Sequence, residues 1–275
     1  MPNFENRRQE SLWYEEAGVG IPIVFLHGWC MSSAVWGGQL NSLANSFRVI
    51  TPDLRGHGYS RAITERLDFE TFAGDLCDLF WHLDLKRVLL VGWSLGAQVA
   101  LQACSALADR LAGLVLVSAT PCFTATDDFS FGLVPKDVSG MRLKVERNLQ
   151  RAMDGFNGRM FAAGELEDHA QATSIRSLLV GIDPPDRDAA RSALDSLAEA
   201  DMRPLLDLIR VPVLIVNGDS DRICLPEASR YLAEQIAGAE QIEFSGCGHA
   251  PFMTKAEQFN QIIDQFARST CEQNA

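Results

Sequence analysis

Three residues that together can perform nucleophilic catalysis occur in the chain in the order Ser94, Asp221 and His249. A serine hydroxyl is a poor nucleophile at neutral pH, so it needs a nearby base, and a histidine base is in turn oriented by a carboxylate. Ser94 lies in Gly-Trp-Ser-Leu-Gly (92–96), between an apolar run and a helix-like run. This context predicts a nucleophile elbow, in which the glycines allow the sharp turn that presents the serine oxygen.

The histidine and the carboxylate are predicted in loops that follow the last two strand-like runs. His249 lies in a glycine-rich loop after the last run, while Asp219 and Asp221 both follow the run before it. We favour Asp221 because it lies deeper in its loop, and we keep Asp219 as the alternative acid. His57 is a weaker candidate for the base, because we interpret its glycine-rich loop, residues 53–60, as structural.

Attack on an ester carbonyl creates an oxyanion that needs backbone N–H donors. One donor is predicted at Leu95, the residue that follows the nucleophile. The other is predicted in the turn His27-Gly28-Trp29, which directly follows the apolar run 21–26. Both segments therefore have to meet beside Ser94.

Short apolar runs rich in β-branched residues predict the strands that position these loops. They cover residues 21–26, 47–51, 87–91, 113–118, 211–217 and 240–244. Helix-like segments such as 70–83 and 96–109 lie between most of them, which predicts an α/β fold with a mostly parallel sheet covered by helices on both faces. Residues 8–16 alternate in polarity and predict an early antiparallel edge strand.

The interval between the fourth and fifth of these runs, roughly 90 residues long, lacks a strand pattern, and a connection of that length requires its own structure. Amphipathic patterns predict helices over 136–154, 165–180 and 186–199. We therefore predict a helical cap formed by residues 122–204. The core then consists of residues 1–121 and 205–275.

The composition narrows the class of protein. Hydrophobic residues make up 47% of the 275 residues and charged residues 22%, and no apolar run approaches the roughly 20 residues that span a bilayer. The N-terminus lacks the apolar segment of a secretory signal, so we expect a cytoplasmic protein without a membrane partner. The net charge of -12 argues against nucleic-acid binding, which needs a basic face.

The seven cysteines are scattered along the chain, odd in number, and without a C-x-x-C pair. We interpret them as buried or incidental thiols rather than as a disulfide framework or a zinc site. We accordingly expect no metal or other cofactor. We also expect a monomer.

Taken together, these features resemble the α/β-hydrolase superfamily over nearly the whole chain. Within it, six stretches resemble the pimeloyl-[acyl-carrier protein] methyl ester esterases of biotin synthesis. They are LHGW (26–29), GWSLG (92–96), SATPCF (118–123), LVPKDVSGM (133–141), LQRAMDGF (149–156) and GHAPF (248–252). The tryptophan before the nucleophile and the PCF segment are the most specific of these features.

The resemblance implies hydrolysis of the methyl ester at the far end of a pimeloyl chain carried on acyl-carrier protein, with release of methanol and without a cofactor. It implies Ser94, Asp221 and His249 as the catalytic residues, and Trp29 and Leu95 as the contacts of the oxyanion and acyl group. A further substrate-contacting stretch of the cap is implied. It comprises Phe156, Asn157, Gly158, Arg159 and Met160, of which Asn157, Gly158 and Arg159 replace bulkier apolar residues of that family.

Residues 136–160 contain six basic and three acidic side chains, so this segment is net positive within an acidic chain. The spacing of Lys144, Arg147 and Arg151 predicts one face of a helix. Because acyl-carrier proteins are strongly acidic, we expect these three residues and Arg159 to dock the carrier. The alternative is an ordinary solvated helix face.

Two other functions stay open. The first is a different enzyme with the same catalytic residues, such as a C–C bond hydrolase, an enol-lactonase, a cofactor-free perhydrolase or a general short-chain esterase, because a fold does not fix its substrate. Dehalogenases and epoxide hydrolases are disfavoured, since they need Asp where this chain has Ser94. The second is a non-catalytic ligand-binding protein, against which the intact serine, aspartate and histidine argue.

Overall fold

A computed structural model of the chain describes residues 2–61 and 67–272; positions 1, 62–66 and 273–275 of the predicted core lie outside the described residues. Its strands are β1 (Asn3–Glu5), β2 (Ser11–Ala17), β3 (Pro22–Leu26), β4 (Arg48–Pro52), β5 (Val88–Trp93), β6 (Leu111–Val117), β7 (Val213–Gly218) and β8 (Glu240–Phe244). Within this part of the chain they form one eight-stranded sheet in the order β1-β2-β4-β3-β5-β6-β7-β8.

The helices of the described chain fall into two groups. Those of the sheet domain are α1 (Gly37–Leu43), α2 (Phe69–His82), α3 (Leu95–Cys104), α9 (Pro226–Gln235), α10 (Pro251–Thr254) and α11 (Ala256–Glu272). Those between β6 and β7 are α4 (Pro135–Arg147), α5 (Leu149–Asn157), α6 (His169–Gly181), α7 (Arg187–Glu199) and α8 (Arg203–Leu206). We call residues 118–212, which contain this second group, the inserted segment.

The centre of the sheet is parallel and buried on both faces. β3 to β8 pair in parallel, whereas β2 pairs antiparallel with β1 and β4. Every residue of β5 and β7 is buried, which requires cover on both sides. α3 packs on β3, β5 and β6, and α11 packs on β5 and β6. The predicted α/β fold is confirmed.

The six strands predicted from apolar runs all form, with ends shifted by at most two residues. The prediction of an edge strand over 8–16 was wrong in part. β2 does pair antiparallel, but β1 lies outside it and forms the edge. β1 has only three residues, too few for a polarity pattern.

The single helix predicted over 136–154 is also wrong, because the backbone breaks at Asn148. This residue is extended, with φ -163° and ψ 98°, and its side chain accepts a hydrogen bond from Arg151 N, which caps α5. Arg151 consequently lies on α5, whereas Lys144 and Arg147 lie on α4. The three cations do not share one helix face as predicted.

The two ends of the inserted segment meet. Cys122 and Asp201 form an isolated antiparallel bridge, and Met202 N donates a 2.9 Å hydrogen bond to Pro121 O. The bridge lies beside both predicted cap boundaries, and the division of the chain at residues 122 and 204 stays a prediction.

Candidate active site

Ser94 lies in a sharp turn between β5 and α3. Its backbone has φ 56° and ψ -117°, a region that side chains with a Cβ rarely adopt. The neighbouring glycines make this turn possible, because a Cβ at Gly96 would lie 2.5 Å from Leu26 O, and one at Gly92 would lie 2.4 Å from Gly96 O. The sequence pattern and the strained geometry both fit the predicted elbow.

Asp221 and His249 form a buried pair at the same edge of the sheet. His249 Nδ1 lies 2.8 Å from Asp221 Oδ2, and neither side chain is exposed. Because a carboxylate can only accept, Nδ1 carries the proton and Nε2 is left as an acceptor. The other carboxylate oxygen accepts from the backbone N–H groups of Ile223 and Cys224, at 2.8 and 3.1 Å. These bonds fix the carboxylate toward the imidazole.

The alternative acid, Asp219, is directed elsewhere. Its oxygens accept from the Ser220 and Ser245 hydroxyls and from Gly246 N, at 2.9 to 3.0 Å. These hydrogen bonds, with that of Ser220 the largest cause, lower the pKa of Asp219. Asp219 therefore joins its loop to the base of the histidine loop, and the structure pairs the imidazole with Asp221 instead.

His249 Nε2 is buried and has no hydrogen-bond partner within the described chain. The structure therefore joins His249 to Asp221 but forms no hydrogen bond between His249 and Ser94. In unliganded sites such bonds are commonly long and tighten only with substrate. The Ser94 hydroxyl interacts with the Cys224 thiol, whose pKa burial raises well above its ordinary value, so this thiol stays protonated.

Aromatic rings surround the imidazole. The Trp93 ring lies 5.4 Å from that of His249, and the Phe156 ring, from the inserted segment, lies edge-on at 6.3 Å. Trp29 lies edge-on to Phe156 at 5.2 Å. This enclosure excludes water from the imidazole and strengthens electrostatic interactions there.

The turn predicted to supply an oxyanion donor lies against the nucleophile. A Cβ at Gly28 would meet Ser94 Cβ at 3.4 Å and the Trp93 ring at 3.1 Å. Leu95 is the first residue of α3, so its N–H has no acceptor within that helix. The arrangement leaves Leu95 as a donor beside Ser94, with the backbone of Trp29 on the adjoining turn.

Two buried histidines fix this turn. His27 Nε2 accepts from Leu54 N and its Nδ1 donates to Gly28 O, both at 2.9 Å. Burial lowers the pKa of His27 to about 4 and that of His57, whose ring lies 5.2 Å away, to about 3. His57 Nδ1 donates to Arg55 O, so this residue supports the loop 53–60.

A cavity of about 510 Å³ adjoins the site. Trp29, Ile223 and Phe156 line it beside the Asp221–His249 pair. The cationic residues on its wall are Lys144, Arg147, Arg151 and Arg159. None of the first three forms an ion pair with another described residue, whereas Arg159 donates to Arg222 O at 3.0 Å. Although α4 and α5 are separate helices, the four predicted cations thus lie around one cavity.

The predicted contacts at positions 156–160 lie in three different places. Phe156 and Arg159 line this cavity, but Asn157 and Gly158 line a second cavity of about 590 Å³. Met160 is fully buried, and its carbonyl accepts a 2.6 Å hydrogen bond from His249 N. Sequence reasoning missed Ile223, for which its position two residues after Asp221 is the only signal.

Potential metal ligands do not cluster in the part of the chain that the structure describes. No group of three or more His, Cys, Asp or Glu residues there could hold a metal ion. All seven cysteines are buried and none is in a disulfide. Among the described helices, none has the length and apolar character needed to cross a bilayer.

Comparisons with known proteins agree with this geometry. The sequence profile of the alpha/beta hydrolase fold matches residues 21–256. The pimeloyl-[acyl-carrier protein] methyl ester esterase of Nitrosomonas europaea is 32% identical over 255 residues, covering 92% of this chain and 98% of that protein.

Solved structures give the same result. An esterase from Exiguobacterium antarcticum superposes with a TM-score of 0.89 at 26% identity, covering 97% of this chain and 98% of that one. A bromoperoxidase from Bacillus anthracis superposes with a TM-score of 0.88 at 27% identity, covering 97% and 100%. With the sheet order, the elbow and nearly full-length matches in agreement, the chain belongs to the α/β-hydrolase fold family.

Proposed function

We propose that this protein is a serine carboxylesterase that hydrolyses the methyl ester of a pimeloyl chain carried on acyl-carrier protein. The observation that carries the proposal is a cavity that connects Trp29, on the turn beside Ser94, with the cations at positions 144, 147 and 151. These cations form no ion pair with another described residue. The name of the Nitrosomonas europaea relative supports the substrate.

The proposed reaction has two steps. His249 takes the proton of Ser94 as its Oγ attacks the ester carbonyl, and Asp221 stabilises the resulting imidazolium. The tetrahedral intermediate then collapses, His249 protonates the departing methoxide oxygen, and methanol leaves. Water, deprotonated by His249, attacks the acyl-enzyme, and the proton returns to Ser94 as the free acid leaves. The buried pair with its acceptor at Nε2 supports this assignment.

The oxyanion is held by the N–H groups of Leu95 and Trp29 in this proposal. The start of α3 also contributes the positive end of a helix dipole, which favours negative charge. Losing one oxyanion donor costs about 10²–10³ in rate in other hydrolases. Backbone donors cannot be removed by side-chain substitution, so this role is supported by geometry alone.

The cavity suits an acyl chain that ends in an anionic carrier arm. Its volume of about 510 Å³ falls within the range of small-molecule sites, and Phe156, Ala152 and Leu133 give it an apolar wall. The exposed cations Lys144 and Arg147 offer charge-assisted hydrogen bonds to anionic groups of this carrier arm. The net charge of -12 would otherwise repel an acidic carrier, so a local basic surface is needed for docking.

The decisive experiment compares two substrates. The triple variant Lys144→Glu, Arg147→Glu, Arg151→Glu should raise KM for the carrier-linked methyl ester at least tenfold and leave hydrolysis of a small soluble methyl ester unchanged. A second triple variant, Lys86→Glu, Arg187→Glu, Arg210→Glu, makes the same change in net charge away from the cavity and should affect neither. Equal losses on both substrates in the first variant would refute docking by these residues.

The nucleophile is tested separately. Ser94→Ala should lower kcat by a factor on the order of 10⁴–10⁶ and abolish labelling by a fluorophosphonate. The wild-type gene should restore biotin-free growth to a strain that lacks its own pimeloyl methyl esterase, and Ser94→Ala should not. A panel of lactones, ring-cleavage diketones and short-chain esters distinguishes the other enzymes open to this site, and faster turnover of any of them than of the carrier-linked ester would redirect the proposal.

A further inference from the structure

The inserted segment contacts the histidine loop directly, through the residues between α5 and α6. His249 N donates to Met160 O at 2.6 Å. Gly248, which precedes His249, has no space for a side chain. A Cβ there would lie 2.3 Å from Met160 O and 3.0 Å from Ala162 N. The loop that carries the imidazole is therefore packed against the inserted segment without a gap.

One side chain of the inserted segment crosses this contact. The Glu165 carboxylate accepts hydrogen bonds from Gly248 N at 2.8 Å, from Ala162 N at 2.7 Å and from the Thr254 hydroxyl at 2.6 Å. Two of these donors belong to the sheet domain, and the third belongs to the inserted segment. Hydrogen bonds to a charged acceptor are about twice as strong as neutral ones.

Several hydrogen bonds hold the rest of this loop, including those of Asp219 with Ser245 and Gly246 and that of Trp93 with the carbonyl of His249. On the opposite side, Ser220 N donates to Cys247 O at 2.9 Å, which joins the histidine loop to the loop of Asp221. Glu165 fixes the next residue, Gly248, from the side of the inserted segment. Without its carboxylate, a backbone N–H adjacent to His249 would lose its acceptor, and such groups move to find another.

We propose that Glu165 is a positioning residue, which holds the His249 loop in register with Asp221 and thereby makes the geometry of the base depend on the seating of the inserted segment. The inference rests on the proposed role of His249. It assigns a function to a residue that neither the motif nor the cavity includes. It also predicts that the inserted segment acts on the rate of the chemical step, and not only on substrate binding.

Kinetics on a small soluble methyl ester test this inference, because such a substrate needs no carrier docking. E165A should lower kcat by about 30- to 100-fold with KM within twofold, since small displacements of a catalytic group are costly. E165Q should recover most of the rate, because its amide oxygen can still accept from Gly248 and Ala162. E167Q, at an exposed position two residues away, should match the wild type.

A spectroscopic measurement separates positioning from simple stabilisation. The proton shared by His249 Nδ1 and Asp221 is buried, so it should give a downfield proton resonance that Asp221→Asn removes. E165A should shift or broaden this resonance at temperatures well below unfolding, while E165Q and E167Q retain it. Should E165A not fold, Thr254→Val removes a single donor to the carboxylate and should shift the same resonance.

The outcomes are distinct. If E165A lowers only the melting temperature, and leaves both kcat and the resonance of His249 unchanged, Glu165 has a structural role and the inference is wrong. If the wild type hydrolyses no ester, the proposed function fails, but the resonance still reports whether Glu165 positions the imidazole.

Discussion

The indole of Trp93 is hydrogen-bonded to the backbone of His249, with Nε1 lying 2.8 Å from the histidine carbonyl oxygen. The residue before Ser94 is thus connected directly to the backbone of His249. The two segments are 156 residues apart in sequence, and this bond fixes their separation at the site. It explains why tryptophan, rather than another large apolar residue, suits this position of the motif.

Trp93→Phe should therefore reduce both stability and rate. The variant keeps an aromatic ring but loses the hydrogen bond, and we expect the free energy of unfolding to fall by about 2–3 kcal/mol and kcat to fall about tenfold. Urea unfolding and steady-state kinetics measure the two effects. Trp36→Phe is the matched control, because the buried Trp36 indole N–H has no hydrogen-bond partner among the described residues and no such bond is lost. An equal kcat in both variants would contradict this role of Trp93.

The two aspartates of one loop should differ sharply. Asp221→Asn leaves the imidazole without a carboxylate and should lower kcat by about 10³–10⁴, as in other serine hydrolases. Asp219→Asn leaves the imidazole paired with Asp221, and its amide oxygen can still accept from Gly246 N, so it should keep kcat within threefold. Kinetics of the two variants on one ester decide the assignment, and the reverse order would transfer the role to Asp219.

The strained backbone of Ser94 predicts that glycine is a more stable replacement than alanine at this position. A residue with a Cβ at φ 56° and ψ -117° costs about 1–3 kcal/mol, and glycine avoids that cost. Ser94→Gly should therefore be about 1 kcal/mol more stable than Ser94→Ala, although both are inactive.

Ser105 provides the comparison, because its φ of -64° and ψ of -42° are helical. There the order should reverse, with glycine less stable than alanine by about 1 kcal/mol. Chemical denaturation of the four variants measures both differences. If glycine were the less stable substitution at both sites, the elbow would hold no strain.

The buried histidines predict a loss of stability in mild acid. Both remain neutral when folded, since the pKa of His27 is lowered to about 4 and that of His57 to about 3, from 6.5. Below pH 6.5 the unfolded chain binds protons that the folded chain does not, so the free energy of unfolding decreases as pH falls. The loss should reach about 2 kcal/mol per histidine at pH 5.

Urea unfolding between pH 7.5 and pH 5 checks this expectation. His57→Gln should have a shallower dependence than the wild type, because one titrating group is removed. His82, an exposed residue that ends α2, serves as the control when replaced by Gln. Identical slopes in wild type and His57→Gln would show that the acid sensitivity comes from other groups.

Much of the fold follows from local pattern. The central strands are continuous apolar runs because both of their faces are buried, so their positions could be predicted within a few residues. The break between α4 and α5 could not, because the pattern on both sides is helical and only the capping by Asn148 reveals it. Tertiary and capping interactions override periodicity at that point.

The candidate site also contains residues that the sequence predicts and contacts that it does not. Ser94, Asp221 and His249 occupy loops whose order along the chain is informative, and the motif around Ser94 has a fixed geometry. Contacts such as that of Glu165 with Gly248 join residues 83 positions apart, and no spacing in the sequence encodes them. Which cations line the cavity likewise depends on how α4 and α5 cross, which the charge pattern alone does not determine.

The bridge between Cys122 and Asp201 brings the two ends of the inserted segment together, so the segment forms a loop that leaves and re-enters the sheet domain at one place. A loop whose ends already touch can be exchanged, lengthened or shortened at little entropic cost to the remaining chain. The loops of Ser94, Asp221 and His249 on the sheet and the cavity walls of the inserted segment can consequently change independently of each other. Grafting a different helical segment between these two positions is therefore the natural route to a new substrate range on an unchanged chemical centre.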